Sequence, residues 1–175
     1  MRGIAGWATT LPRTAPDEQV LVEMAGTLSH RKVADLDAVI DGNHRRKVVL
    51  AASLADSQSR ISLVLDGAIL NFDELKSQLV KRGYPFSGNS SEELLLRAYQ
   101  HWDKDVVKQL RGAFAFAIWD ARKERLLLAR DRFGEKPLYL HEKPSRLFFA
   151  SEAKALLQVP GIEALVTKIK ILENT

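Results

Sequence analysis

The residues able to do chemistry in this chain are few, and their spacing removes several familiar arrangements. None of the 175 residues is cysteine, which excludes disulfides, zinc-thiolate sites and thiol nucleophiles. The histidines, His30, His44, His101 and His141, have no metal-ligand spacing and read as surface or capping residues, so neither a metal nor a cofactor is expected. Thr9 and Thr10 are hydroxyls close to the amino end, yet no paired base stands near them in the sequence. The densest basic cluster, His44 to Lys47, lacks interleaved aromatics and reads as a solvated loop rather than a phosphate site. Lysine and arginine number 26 against 22 acidic residues, a net charge of +4 spread over many segments; no nucleic-acid partner is expected. The start has no apolar signal region and no apolar run reaches membrane-spanning length, so the expectation is a cytoplasmic protein without membrane contact.

The elements that must position these groups follow from periodicity. Residues 2 to 8 read as a strand, and residues 15 to 30 carry Val20, Met24 and Leu28 at helical spacing after an acidic first turn. Residues 31 to 46 are polar and irregular and are expected to be mobile. "KVVLAAS" and "RISLVLDGAIL" are β-rich, and a helix follows from Phe72, with Asn71 at its cap and Gly83 beyond its last turn. Ser90 and Glu93 have capping-box spacing ahead of a second helix. From Ala113 onward "AFAFAIWD", "LLLARD", "PLYLH" and "RLFFAS" are apolar runs separated by short polar turns, the pattern of antiparallel hairpins. "AFAFAI" and "LLLA" are apolar almost throughout, which predicts strands covered on both faces. Helices in blocks apart from two sets of antiparallel strands predict stacked sheets covered by helices, an α+β architecture.

Four segments in order, "GIAGW", "DGAILNFDELKSQLVKRGYPF", "LRGAFAFAIWDARKERLLLARDRFGEKPLY" and "LFFASEAKALL", closely resemble the class II glutamine amidotransferase domain of asparagine synthetases. The resemblance covers residues 1 to about 158 and is poor over 31 to 60. It implies an N-terminal-nucleophile hydrolase fold, a four-layer αββα sandwich of two antiparallel sheets. It also implies that residues 159–175 are a tail and that the family's synthetase domain is absent. In that family the domain hydrolyses glutamine, and a cysteine after the initiator Met is the nucleophile, with its own α-amino group as base. The matching position here is Arg2, whose guanidinium has no lone pair to attack a carbonyl. With Arg2 in second place, Met1 should also stay.

The other pocket positions carried over from the resemblance depart in the same direction. The family's oxyanion-hole Asn matches Asp66, which is followed by Gly67 and by Ala68 in place of a Glu. An Asp-Gly pair between apolar runs is also a hairpin signal. The position that binds the substrate's amino group matches Ser91, with Glu92 beside it, and a His-Arg-Gly-Pro-Asp motif survives as His30-Arg31. Arg2 and Asp66 are therefore degenerate catalytic positions, and His30, Arg31, Gly67, Ala68, Ser91 and Glu92 outline a former glutamine pocket. Since the family's nucleophile and oxyanion donor face one carbonyl, Arg2 and Asp66 are expected to form an ion pair. Arg130, Asp131, Arg132 and Lys136 persist within "RDRFGEKPLY". They are either a structural strand and turn shaped by Gly134 and Pro137, or an interface toward a synthetase-like partner.

Three functions fit these residues. The first is a domain without glutaminase chemistry, a structural or regulatory partner of an asparagine-synthetase-like enzyme or of a second copy of itself. The second is a glutamine-hydrolysing domain using another nucleophile. The third is a binding module whose altered pocket takes a small cationic or amide ligand.

Overall fold

A computed structural model describes residues 3–10, 18–31, 37–42, 47–52 and 54–162. The described elements run β1 (Ala5–Thr9), α1 (Glu18–Gly26), β2 (Asp37–Gly42), β3 (Lys47–Ala52), β4 (Leu54–Asp56), β5 (Ile61–Ile69), α2 (Phe72–Lys81), α3 (Ser91–Trp102), β6 (Gly112–Asp120), β7 (Arg125–Arg130), β8 (Tyr139–Lys143), β9 (Arg146–Ala150) and α4 (Ala153–Leu156), with 3-10 turns at Ser29–Arg31 and Asp103–Lys108. The strands form two antiparallel sheets, one in the order β2-β3-β1-β9-β8 and the other β4-β5-β6-β7.

Strand alternation divides the apolar residues into three packed regions. Ile61, Leu63, Leu65 and Ile69 of β5, with Phe114, Phe116 and Ile118 of β6, pack against α2 and α3. The intervening residues Val64, Ala115, Ala117 and Trp119 meet Ile4, Val48, Leu50 and Phe149 between the two sheets. On the far side of the first sheet, Ala5, Trp7 and Phe148 pack against Leu21 and Met24 of α1 and Leu156 of α4. The result is helices, sheet, sheet, helices, the αββα sandwich expected from the resemblance. Ile4 ties the start of the chain to its far end, because its N–H donates to Ser151 Oγ and Ser151 N donates to Ile4 O, each at 2.8 Å.

Two expectations need correction, and one alternative reading falls away. The stretch 31 to 46 is not irregular throughout, since β2 pairs with β3 from Asp37↔Ala52 to Gly42↔Lys47. Its acidic residues disguise a short apolar strand that needs only one neighbour. Asp66-Gly67 is not a hairpin turn either. The β5–β6 ladder runs through it in register, Asp66↔Ala115, Gly67↔Phe114 and Ala68↔Ala113. Finally, β6 is covered on both faces, but β7 is the edge of its sheet and half-exposed along its length. Apolar composition alone does not distinguish a central strand from its edge neighbour.

Candidate functional site

The alternation that sends Leu65 toward the helices sends Asp66 toward the first sheet, on the same face as Val64. Its carboxylate is fully buried, and its cross-strand neighbour is Ala115. The next residue is constrained by close approach. Gly67 has φ +112°, and a Cβ there would lie 2.0 Å from the Ala113 carbonyl oxygen, so glycine is required for the ladder to continue past Asp66.

A cation reaches Asp66 from the turn after β7. Asp131, buried, accepts hydrogen bonds from the N–H groups of Phe133 (3.1 Å), Glu135 (2.9 Å) and Lys136 (3.0 Å). Burial alone would raise the Asp131 carboxyl, but the N–H groups of Lys136, Glu135, Phe114 and Phe133 together hold it below the usual carboxylate range. Gly134 adopts φ +66° inside this turn, with the Arg130 guanidinium carbon 2.9 Å from where its Cβ would be. The fixed turn directs Lys136 inward, its side chain 11% exposed, with Nζ 3.6 Å from Asp66 Oδ1.

The opposite wall is the start of α3. Ser90 caps the helix, its Oγ accepting from Glu93 N at 3.1 Å. The Glu93 side chain does not complete a capping box. It turns away to accept from Ser87 N, Ser87 Oγ and Gly88 N at 2.7, 2.9 and 2.9 Å. Burial opposes its charge, yet these bonds, with Arg97 nearby, leave its carboxyl below the usual range. The consequence is a rigid approach to α3 that presents Ser91 and Glu92. Asn71 likewise does not cap α2 with its side chain. It bridges strand ends instead, donating to Gln109 O and accepting from Arg111 N, both at 2.9 Å.

These walls enclose a cavity of about 440 Å³ lined by Leu65, Gly67, Ala68, Ser91, Glu92, Ala113 and Lys136. The structure thus brings together Gly67, Ala68, Ser91 and Glu92, and places Asp66 in the same strand wall. His30 is elsewhere, half-exposed with Nε2 2.8 Å from Glu152 Oε1. Arg2 lies outside the described residues, as does the expected Arg2–Asp66 ion pair, and nothing is described of the Arg31 side chain. Thr9 and Thr10 line a separate cavity of about 330 Å³ with Trp119, Leu126 and Leu147, at the opposite end of the sandwich. The four-residue interface set divides as well: Arg132 is exposed and Arg130 half-buried, whereas Asp131 and Lys136 are buried. Sequence reading missed both the Lys136–Asp66 pair and the organising role of Asp131. An Asp three residues before a Gly is a turn signal that points to the second.

Chemically, the described lining offers one ammonium, one carboxylate beside a hydroxyl, and the buried Asp66 in the strand wall. No described lining residue is histidine. Among the described residues no cluster of histidine and acidic groups could hold a metal ion, and no helix is long and apolar enough to cross a membrane.

Comparison with known proteins agrees with this architecture. Residues 1–174 match the family model described as a glutamine amidotransferase domain. The chain is 32% identical over 187 residues to glutamine-hydrolyzing asparagine synthetase 3 of Bacillus subtilis, covering 99% of this chain and 30% of that protein. It is 33% identical over 157 residues to asparagine synthetase 1 of the same organism, covering 84% and 25%. The chain therefore spans less than a third of the length of these relatives. Among solved structures, the glutamine phosphoribosylpyrophosphate amidotransferase from B. subtilis superimposes with a TM-score of 0.67 at 18% identity, over 88% of this chain and 42% of that one, a likeness of fold.

Proposed function

Because the chain belongs to the family of glutamine amidotransferase domains, we propose that it is a member without glutaminase chemistry, serving an asparagine-synthetase-like enzyme as a structural or regulatory partner. The observation that carries this reading is the carboxylate of Asp66, fully buried in the strand wall of the cavity. The family resemblance puts the oxyanion-hole donor at this position. An oxyanion hole works by aiming donors at developing negative charge, and losing one costs about 2.7 to 4 kcal/mol. A carboxylate has no proton to offer and repels the charge. The 175 residues supply no thiol, and Arg2 has no lone pair to replace one.

A second reading is favoured by Lys136. An ammonium 3.6 Å from Asp66 neutralises the carboxylate and can itself donate to an oxyanion, and Ser91 lines the same cavity as a hydroxyl nucleophile. In that case the domain hydrolyses glutamine, as the names of its relatives describe for them. An electrophilic glutamine analogue that alkylates active nucleophiles separates the two, read by intact-mass spectrometry. The first reading expects no adduct after prolonged incubation. A stoichiometric adduct that disappears in Ser91→Ala would establish the second.

A further inference from the structure

We propose that the cavity at the other end of the sandwich, away from Asp66, is a second ligand site that takes a free α-amino acid with an apolar side chain. Cross-strand registers place Val48, Ala8, Leu147 and Glu142 opposite one another on β3, β1, β9 and β8, so the four form one row on one face of the first sheet. Val48 and Ala8 pack between the sheets, where they meet Trp119 and Leu126, themselves opposite each other on β6 and β7. The row is therefore inward-facing, and all six residues line the cavity of about 330 Å³. These walls come from the domain's own two sheets.

The mouth is tied together by hydrogen bonds. Thr9 Oγ1 and Thr10 N both donate to Ser145 O, at 2.9 and 3.0 Å, which joins the end of β1 to the turn between β8 and β9. Lys143 in the same hairpin donates to Gly161 O at 2.7 Å, so its ammonium is engaged. Glu124 has a partner as well. Of the charged residues lining the cavity, that leaves Glu142, exposed, and Arg146, half-buried. Among the described residues, neither of these side chains makes a hydrogen bond or an ion pair.

A pocket with apolar walls and a few placed polar groups selects its ligand through the partners those groups need. Here an apolar floor carries one carboxylate and one guanidinium at its rim. A molecule with an ammonium and a carboxylate on one carbon offers Glu142 and Arg146 a charge-assisted partner each, while its side chain fills the space beside Trp119 and Leu126. An apolar amine or an apolar acid alone leaves one of the two without a partner. Glutamine would set its side-chain amide against apolar walls without hydrogen bonds, which is costly, so this site disfavours it. An inward-facing charge on an edge strand also guards that edge against pairing with another chain. That accounts for Glu142 on β8 but not for Arg146, since β9 lies between β1 and β8. The inference does not depend on whether the domain hydrolyses glutamine.

NMR titration of the purified chain with leucine, phenylalanine and tryptophan, each to roughly 10 mM, tests it. The expected result is a saturable shift of the Val48, Leu126 and Leu147 methyl signals with at least one of them, the Gly67 and Ala68 amide signals staying in place. Phenethylamine, hydrocinnamate and glutamine should bind at least about tenfold more weakly than that amino acid. Glu142→Gln and Arg146→Gln should each raise its dissociation constant at least about fivefold. Unchanged thermal melts show that these variants fold. The absence of a saturable shift with all three amino acids overturns the proposal. So does equal binding of the amine or the acid alone, or binding indifferent to both substitutions. Shifts centred on Gly67 assign the ligand to the Asp66 cavity and overturn it as well.

Discussion

Removing the cation from the buried pair at the cavity is the sharpest perturbation of this site. Lys136 Nζ lies 3.6 Å from Asp66 Oδ1, with the two side chains 11% and 0% exposed. At an effective dielectric of about 20, two unit charges at that separation attract by roughly 4 to 5 kcal/mol. Desolvating both groups takes much of this back, and the separation is too long for a hydrogen bond of full strength. A coupling energy of about 1 to 3 kcal/mol is therefore expected. Breaking such a pair from one side is worse than removing it entirely. Lys136→Met should destabilise by about 3 kcal/mol because the buried carboxylate loses its ammonium neighbour, and Asp66→Ala by a comparable amount because the ammonium loses its carboxylate. The double variant should lose clearly less than their sum. Urea unfolding of the four proteins, with unchanged slopes, measures the cycle. A coupling energy within about 0.5 kcal/mol of zero would mean that the two groups are neighbours without energetic consequence, and the account of Lys136 as the counter-charge of Asp66 would fail.

Other consequences follow from the same geometry. Asp131→Ala removes the acceptor of three N–H groups and should cost about 3 kcal/mol, roughly 6 to 12 °C in melting temperature. Because the folded Asp131 carboxyl is held below its ordinary value near 3.8, its contribution is present above that pH and is lost as pH falls through the folded value; the variant should show a shallower acid limb. Gly67→Ala forces a Cβ to 2.0 Å from the Ala113 carbonyl oxygen at φ +112°, and should unfold the end of the ladder, read as loss of amide-exchange protection at residues 66 to 68 and 113 to 115. Tyr99 donates to Asp120 Oδ2 at 3.1 Å and accepts from Arg125, and burial first, then the Asp120 charge, push its hydroxyl up to about 12. A group whose folded pKa is raised stabilises fully below the unfolded value near 10 and stops doing so as pH rises through the folded one. Alkaline titration should thus show lost stability between about pH 10 and 12, and Tyr99→Phe should abolish that loss.

Much of the fold was legible because the segments that build it are locally consistent. Val20, Met24 and Leu28 repeat at helical spacing and do pack against the first sheet, and the apolar runs from Ala113 onward are β6 to β9. What escaped the sequence concerns choices between partners. Asn71 stands at a cap position, but two unpaired backbone groups at Gln109 and Arg111 capture its side chain instead. Glu93 has capping-box spacing, yet Ser87 and Gly88 offer it three donors against one. Such competition is decided by loops that only the folded chain brings near. The site was half legible in the same sense. The resemblance drew Gly67, Ala68, Ser91 and Glu92 around one cavity, whereas Lys136 looked like a member of an exposed turn. Its inward direction depends on Asp131, five residues away, folding the backbone back on itself.

The claim that this domain has lost glutaminase chemistry stands or falls on turnover. Purified chain is incubated with saturating glutamine, and glutamate release is followed alongside the B. subtilis asparagine synthetase as a positive control, for the wild type and for Arg2→Cys with Met1 removed. The account predicts background rates for both proteins, because Cys at position 2 would still face a carboxylate, Asp66, where the family resemblance puts the oxyanion donor. Turnover by the wild type approaching that of the control, abolished by Lys136→Met or Ser91→Ala, would contradict it and make the cavity a working hydrolase site.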